Sequence, residues 1–130
     1  MKVVTAAIIV KNNFILLTRR KVGEKLEGYW EFPGGKIENG ETPQEGLERE
    51  LLEELGVNSR AGNIFAENIY HYEFGTIKLI GIKTDLIDKK FRLTVHDKAE
   101  WILINDLLNY QLSPADIPIA QKIIEDSKQV

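Results

Sequence analysis

A mixed α/β domain, an α+β sandwich in which helices flank a mixed β-sheet, is the fold class the sequence predicts. Three observations predict it. β-rich apolar runs lie on both sides of one strongly signalled amphipathic helix, a second amphipathic helix ends the chain, and turn residues punctuate the intervals. The 130 residues suit one domain, 1–130, and 43% hydrophobic against 28% charged residues supports a packed core and excludes a disordered tail. No internal repeat or low-complexity stretch interrupts it.

Residues 3–10 and 14–18 are aliphatic and β-rich, and Lys11-Asn12-Asn13 between them tolerates the φ > 0 geometry of tight turns. A hairpin of two antiparallel strands is predicted. Arg19-Arg20-Lys21 opens a polar loop with local positive charge, and Tyr29-Trp30-Glu31-Phe32 forms a short aromatic strand. Pro33-Gly34-Gly35 ends that strand, because proline lacks a ladder donor and glycine permits unusual backbone angles. A long loop then runs to Glu41. Thr42, Pro43 and Glu45 supply an N-cap, a first-turn proline and the third-position acid of a capping box, so a helix is predicted to about Leu55, with Gly56 at its left-handed end. Residues 64–72 and 76–86 are strands paired around Phe74-Gly75, and residues 101–104 are another. Asn105 caps a short helix through Asn109. A final helix spans about 118–126, with Ile119, Ile123 and Ile124 along one side.

With 17 Lys+Arg against 20 Asp+Glu, the net charge of −3 gives no global support for gripping a nucleic-acid polymer, so any anionic ligand must be held locally. Cysteine is absent, which removes disulfides, thiolate nucleophiles and Cys-ligated zinc and fits a cytoplasmic location. His71 and His96 are too far apart to read as a zinc motif. The opening apolar run contains Thr5 and leads to Lys11 rather than to a small-residue cleavage site, so it reads as a strand, not a secretory signal. No stretch approaches the ~20 apolar residues of a membrane span, and no membrane partner is expected. Monomer and homodimer both fit, since no apolar stripe forces association.

On a helical wheel Leu47, Leu51 and Leu55 fall near 0°, 40° and 80°, with Leu52 near 140°, and these form the predicted buried stripe. Glu50, Glu53 and Glu54 share roughly 100° of arc on the other side. Neighbouring like charges at this spacing cost on the order of 2–3 kcal/mol at an effective dielectric near 20, and far less when solvated. A divalent cation would remove that cost, and Mg²⁺ suits carboxylate oxygens better than zinc does. The wheel alone equally allows a solvated acidic face, partly neutralised by Arg49 paired to Glu53.

The loop before the helix makes the pattern specific. Gly35, five residues, Glu41, seven residues, then Arg49-Glu50-Leu51-Leu52-Glu53-Glu54-Leu55-Gly56-Val57 matches G-x5-E-x7-R-E-U-x-E-E-x-G-U, with U aliphatic, at every specified position. A chance match in a chain of this length is on the order of 10⁻⁷ from residue frequencies. On this motif the chain resembles the Nudix hydrolases, and Trp30-Glu31-Phe32-Pro33-Gly34-Gly35-Lys36 with Leu112-Ser113-Pro114-Ala115-Asp116 makes it similar to their small MutT-type branch.

The resemblance implies Mg²⁺- or Mn²⁺-dependent cleavage of nucleoside diphosphates linked to another group. It assigns metal binding to Glu50, Glu53, Glu54 and the Gly34 carbonyl, and an orienting role to Arg49 and Glu41. For the MutT-type branch it implies attack of water at the β-phosphorus of a nucleoside triphosphate, giving the monophosphate and pyrophosphate. The further carboxylate that such enzymes place before a late-strand tryptophan falls here on Val95. Asp97 is then either its substitute or a loop residue, and in the latter case Glu53 is the base. His96 reads as a surface residue, with contact to phosphate as the alternative. Asp116, after Pro114-Ala115, either faces the nucleobase or caps the final helix. Arg20 and Phe32 match residues that contact and flank the base, and Phe74 is either an apolar wall or part of the core. The expected substrate is 8-oxo-dGTP, with CTP or dCTP as the alternative. A nucleotide-sensing module without turnover is the alternative of another class, and the complete glutamate set argues against it.

Overall fold

The computed structural model describes residues 1–128. Two sheets form a central layer between two helices. In the first, β1 (Lys2–Ile8) pairs parallel to β6 (Gly75–Leu86), which pairs antiparallel to β5 (Ser59–Tyr72). In the second, β3 (Phe14–Arg20) carries β7 (His96–Leu103) on one edge, and β2 (Val10–Lys11) and β4 (Trp30–Glu31) on the other, all antiparallel. Helix α1 (Pro43–Leu55) covers one face through Leu47, Leu51 and Leu55, packed with Ala7, Leu16, Ile80 and Ile82. Helix α2 (Ile117–Ser127) covers the other through Ile119 and Ile123, packed with Ala6, Ile8, Ile15 and Leu79. Alternate residues of β1 and β3 thus enter opposite cores, and this two-sided burial explains their nearly continuous apolar sequence.

The same two-sided burial corrects the predicted first hairpin. Only Val10 and Lys11 pair with Ile15 and Phe14 across a turn with Asn12 at φ 59°, whereas residues 2–8 run beside β6 in the other sheet. Three further boundaries shift. β3 continues through Arg19 and Arg20 where a loop was expected, β5 begins at Ser59, and β7 begins at His96. The predicted cap by Asn105 is absent: residues 104–109 form a 3-10 turn begun at Leu103 with no side-chain cap.

Helix α1 starts and stops as its sequence dictates. The Thr42 hydroxyl accepts from the Glu45 N–H at 3.1 Å and the Glu45 carboxylate accepts from the Thr42 N–H at 2.8 Å. At the other end Gly56, φ 67°, donates back to the Leu51 and Leu52 carbonyls. Leu52 departs from the expected stripe: it is 48% exposed, because the leucines that pack occupy only the 0–80° part of the wheel.

The segment between β4 and α1 is strapped along β1. Ala7, Thr5 and Ile37 N–H groups donate to Pro33, Gly35 and Val3 carbonyls at 2.7, 2.8 and 3.1 Å. Backbones approach so closely here that a Cβ on Gly34 would overlap the Thr5 carbonyl oxygen. Because the obstacle is backbone, Gly34→Ala is expected to lower stability by about 1–3 kcal/mol, the range for overpacking, measured by urea denaturation. An unchanged midpoint would contradict this close approach.

Candidate active site

Loop 33–41 delivers Glu41 to Arg49 on α1. The guanidinium donates from Nε to Glu41 Oε2 at 2.7 Å and from Nη2 to Glu41 Oε1 at 3.0 Å. Nη2 also reaches the Lys36 carbonyl at 2.9 Å, and Nη1 reaches Glu50 Oε1 at 2.9 Å and Glu53 Oε2 at 3.1 Å. Glu41 accepts the Glu38 N–H as well, at 2.8 Å. Arg49 and this amide hold the Glu41 carboxyl below its usual range, and Glu41 and Glu50 raise Arg49 above its own. The i,i+4 pair with Glu53 is therefore real, and it is one arm of a larger network.

Glu50 lies over Gly35, where a Cβ would collide with its carboxylate. Glu54 stands beside Glu50. Burial, the hydrogen bond and charge of Glu50, and the charge of Glu31 push the Glu54 carboxyl up to about 9, opposed by Arg20. Its Oε1 is buried without a partner. Among the described residues no three acidic or histidine side chains converge on one point, and Glu53 is paired to Arg49. Glu53 is 57% exposed at its side chain, so its rotation toward Glu50 and Glu54 is open.

These carboxylates border a cavity of about 270 Å³ that brings together Arg20, Phe32, Gly34, Glu50, Glu54, Phe74 and Asp116. Glu41, Arg49 and Glu53 stand outside its lining, linked to it through Glu50. A larger groove of about 680 Å³, passing Arg60, Lys83 and Asp126, shares no lining residue with it and holds none of the predicted site residues.

At the far end of the cavity the turn Pro114–Asp116 is fixed through Ala115, whose N–H donates to Tyr72 Oη at 2.9 Å and whose carbonyl accepts from Asn68 at 3.0 Å. Asp116 makes no capping bond to α2. Its Oδ2 instead accepts the Phe32 N–H at 3.0 Å. Burial, then the charge of Glu31, raises the Asp116 carboxyl well above its usual range, and the Phe32 amide only partly opposes this. Phe74 is 47% exposed rather than core. Its ring stacks on Tyr72 at 4.8 Å and 9°, and Lys25 Nζ sits 4.7 Å over it. Burial pushes the Tyr72 phenol up to about 12.

On β7 the surface reading of His96 is reversed, and Asp97 stands apart from the cavity. The register between β3 and β7 shifts at Arg19/Arg20, so His96 pairs with Arg20 and Lys98 with Arg19, and Asp97 is the extra residue between them. Asp97 points outward into a two-pronged pair with Arg19, at 2.8 and 2.9 Å, and does not line the cavity. His96 is 3% exposed, not a surface residue, and its Nε2 meets Glu31 Oε2 at 2.8 Å. Glu31 also lines the cavity, a site role that the motif assigns to no residue of this strand but Phe32. Its signal is alternation in a strand whose neighbours Trp30 and Phe32 are buried.

Asp116→Asn keeps an oxygen for the Phe32 amide and removes the ionisable group. A carboxyl with a raised folded pKa stabilises below its unfolded value, about 4, and that contribution is lost as pH rises through the folded value. The melting temperature of the variant relative to wild type should therefore rise as pH increases above about 4, followed by thermal melts. A difference that stays flat or shrinks as pH rises would contradict the raised, buried carboxyl.

Residues 1–123 match the model of the NUDIX domain. The chain is 34% identical to CTP pyrophosphohydrolase of Escherichia coli K12, over 91% of this chain and 87% of that one. It is 29% identical to 8-oxo-dGTP diphosphatase of the same organism, over 95% of each. Among solved structures, MutT of methicillin-resistant Staphylococcus aureus 252, described as a Nudix hydrolase, superposes with a TM-score of 0.75 at 38% identity, covering 96% of this chain and 98% of that one. A family model spanning nearly the whole chain, and relatives that share its length and its fold, agree with the glycine loop and the acidic helix: the chain belongs to the Nudix hydrolase family.

Proposed function

We propose that this Nudix hydrolase cleaves nucleoside triphosphates to the monophosphate and pyrophosphate, with oxidised guanine nucleotides such as 8-oxo-dGTP as substrates. The observation that carries the reading is the continuity of one cavity from Glu50 and Glu54 to Phe32, Phe74 and Asp116. One end suits a cation-bound polyphosphate and the other a flat base. Lys2, Lys25 and Lys36 line the same cavity and supply the local positive charge that the net charge of −3 withholds globally. Burial pushes the Asp116 carboxyl toward its protonated form, which offers both a donor and an acceptor to a base edge. A second reading, CTP, is favoured by the 34% match to CTP pyrophosphohydrolase, since the same carboxyl complements the ring nitrogen and amino group of cytosine.

The donor set fits a hard divalent cation: crowded carboxylates, one with a buried unpartnered oxygen, beside Gly34 and Gly35 of the loop in the same wall. Glu50, Glu53, Glu54 and the Gly34 carbonyl would hold Mg²⁺, or Mn²⁺ in its place. Bound there, the cation supplies charge neutralisation for the polyphosphate and acidifies water. Glu53, exposed and held only at Oε2, is the base that takes the proton as water attacks the β-phosphorus. Arg49 and Glu41 keep Glu50 and Glu53 oriented, and the wall of Phe74 and Tyr72 flanks the base. A sensing module without turnover has no need of four oriented acids.

A substrate panel of 8-oxo-dGTP, dGTP, CTP, dCTP and ADP-ribose with Mg²⁺ tests the reading as ratios of kcat/KM. Pyrophosphate release with highest kcat/KM on 8-oxo-dGTP is expected, and preference for CTP would select the second reading. Glu53→Gln should cut kcat by about 10²–10⁴-fold, the usual worth of a positioned base, with little change in fold. Wild-type turnover in that variant, or preference for ADP-ribose, would overturn the assignment.

A further inference from the structure

Glu31 lines the nucleotide cavity from β4, and its side chain is only 16% exposed. Its charge reaches two other carboxyls of the cavity, Glu54 and Asp116, and helps to raise both. Two groups hold it. Arg20 donates from Nη1 at 3.3 Å, a long contact from a guanidinium that is also committed to the Lys25 carbonyl at 3.1 Å and to Glu24 at 3.4 Å. His96 meets it from Nε2 at 2.8 Å, the shorter of the two. Both bonds fall on Oε2, which leaves Oε1 for a ligand.

The histidine is committed to this one contact. Its side chain is fully buried and its Nδ1 has no partner. An imidazole placed for packing alone would not leave a nitrogen unpaired in the interior, since an unmet buried polar atom is costly and an apolar ring would fill the space without it. The contact is a hydrogen bond when Nε2 carries the hydrogen and donates it to Glu31, which leaves Nδ1 a lone pair rather than an unmet N–H. The register shift at Arg19/Arg20 is what turns His96 inward, beside Arg20, while Asp97 turns out.

We propose that His96 is a positioning residue for nucleotide binding: by donating from Nε2 to Glu31 Oε2 it fixes the Glu31 carboxylate, and through it Arg20, in the wall of the cavity that receives the nucleoside. This inference rests on the nucleoside triphosphate reading above. His96 touches no substrate. It is remote from the proton-transfer step at Glu53, so its loss weakens substrate binding rather than the chemical step.

The test is steady-state kinetics of the full chain with Mg²⁺ and the preferred nucleoside triphosphate. His96→Phe fills the space without a donor, and His96→Asn carries an amide too short to reach Glu31. His96→Gln places an amide N–H near the position of Nε2. His96→Phe and His96→Asn are expected to raise KM by about tenfold, the worth of a hydrogen bond to a charged group, with kcat within about threefold. His96→Gln should recover most of that loss. In a Glu31→Gln background His96→Phe should add little further change, because the partner it positions is already altered. If His96→Phe is unstable, the comparison of Asn with Gln carries the test. A KM unchanged in His96→Asn, equal losses in Asn and Gln, or a full additional effect in the Glu31→Gln background would overturn the inference while leaving the nucleotide reading intact. A wild-type chain that cleaves no nucleoside triphosphate would overturn both.

Discussion

Arg49 receives more of the site than any other side chain. Its five-donor fork reaches Glu41, Glu50, Glu53 and the Lys36 carbonyl at once, with Glu41 held by two parallel bonds. A lysine could not do this, because an ammonium is a point charge without a planar fork. The loop before α1 and the acidic face of α1 are thereby tied into one body. Without that guanidinium, Glu41 would lose its two-pronged partner and Glu50 would face Glu54 with nothing opposite. The chemistry proposed for Glu53 depends on the same anchor.

Two glycines complete the constraint. Gly34 lets the loop lie against the backbone of β1, and Gly35 leaves room for the Glu50 carboxylate above it. The capping box and the left-handed Gly56 fix where α1 begins and ends, so the arc on which Glu50, Glu53 and Glu54 stand is set by the backbone and not by the carboxylates themselves. Crowding then follows. Glu54 is buried with an unpartnered oxygen, and Glu31 and Asp116 add two more carboxyls to one cavity. Such a concentration of acids is costly in an empty site and favourable once cations and a polyphosphate occupy it.

What could be read from the sequence was what depends on neighbours within about four residues. The start, end and acidic face of α1 follow from Thr42, Glu45, Gly56 and the glutamate spacing, all local. The family followed from a motif contained between Gly35 and Val57. What could not be read depends on pairing across the chain. Nothing local sends residues 2–8 to β6 instead of into the hairpin, because a run buried on both faces carries no alternation to report its partner. His96 and Glu31 are 65 residues apart, and the register shift that joins them, and that sends Asp97 to Arg19, is a property of the β3–β7 ladder. Leu52 was misplaced because a wheel gives directions and not the width of the surface that waits to cover them.

The central claim is that Glu50, Glu53 and Glu54, introduced by Gly34 and Gly35, form a divalent-cation site. Mn²⁺ titrated at substoichiometric amounts into the ¹⁵N-labelled chain tests it directly through paramagnetic broadening of amide resonances. The amides of Gly34, Gly35 and residues 50–54 should broaden before all others and recover when excess Mg²⁺ is added. Broadening spread evenly over the acidic surface, or centred elsewhere and indifferent to Mg²⁺, would contradict the account.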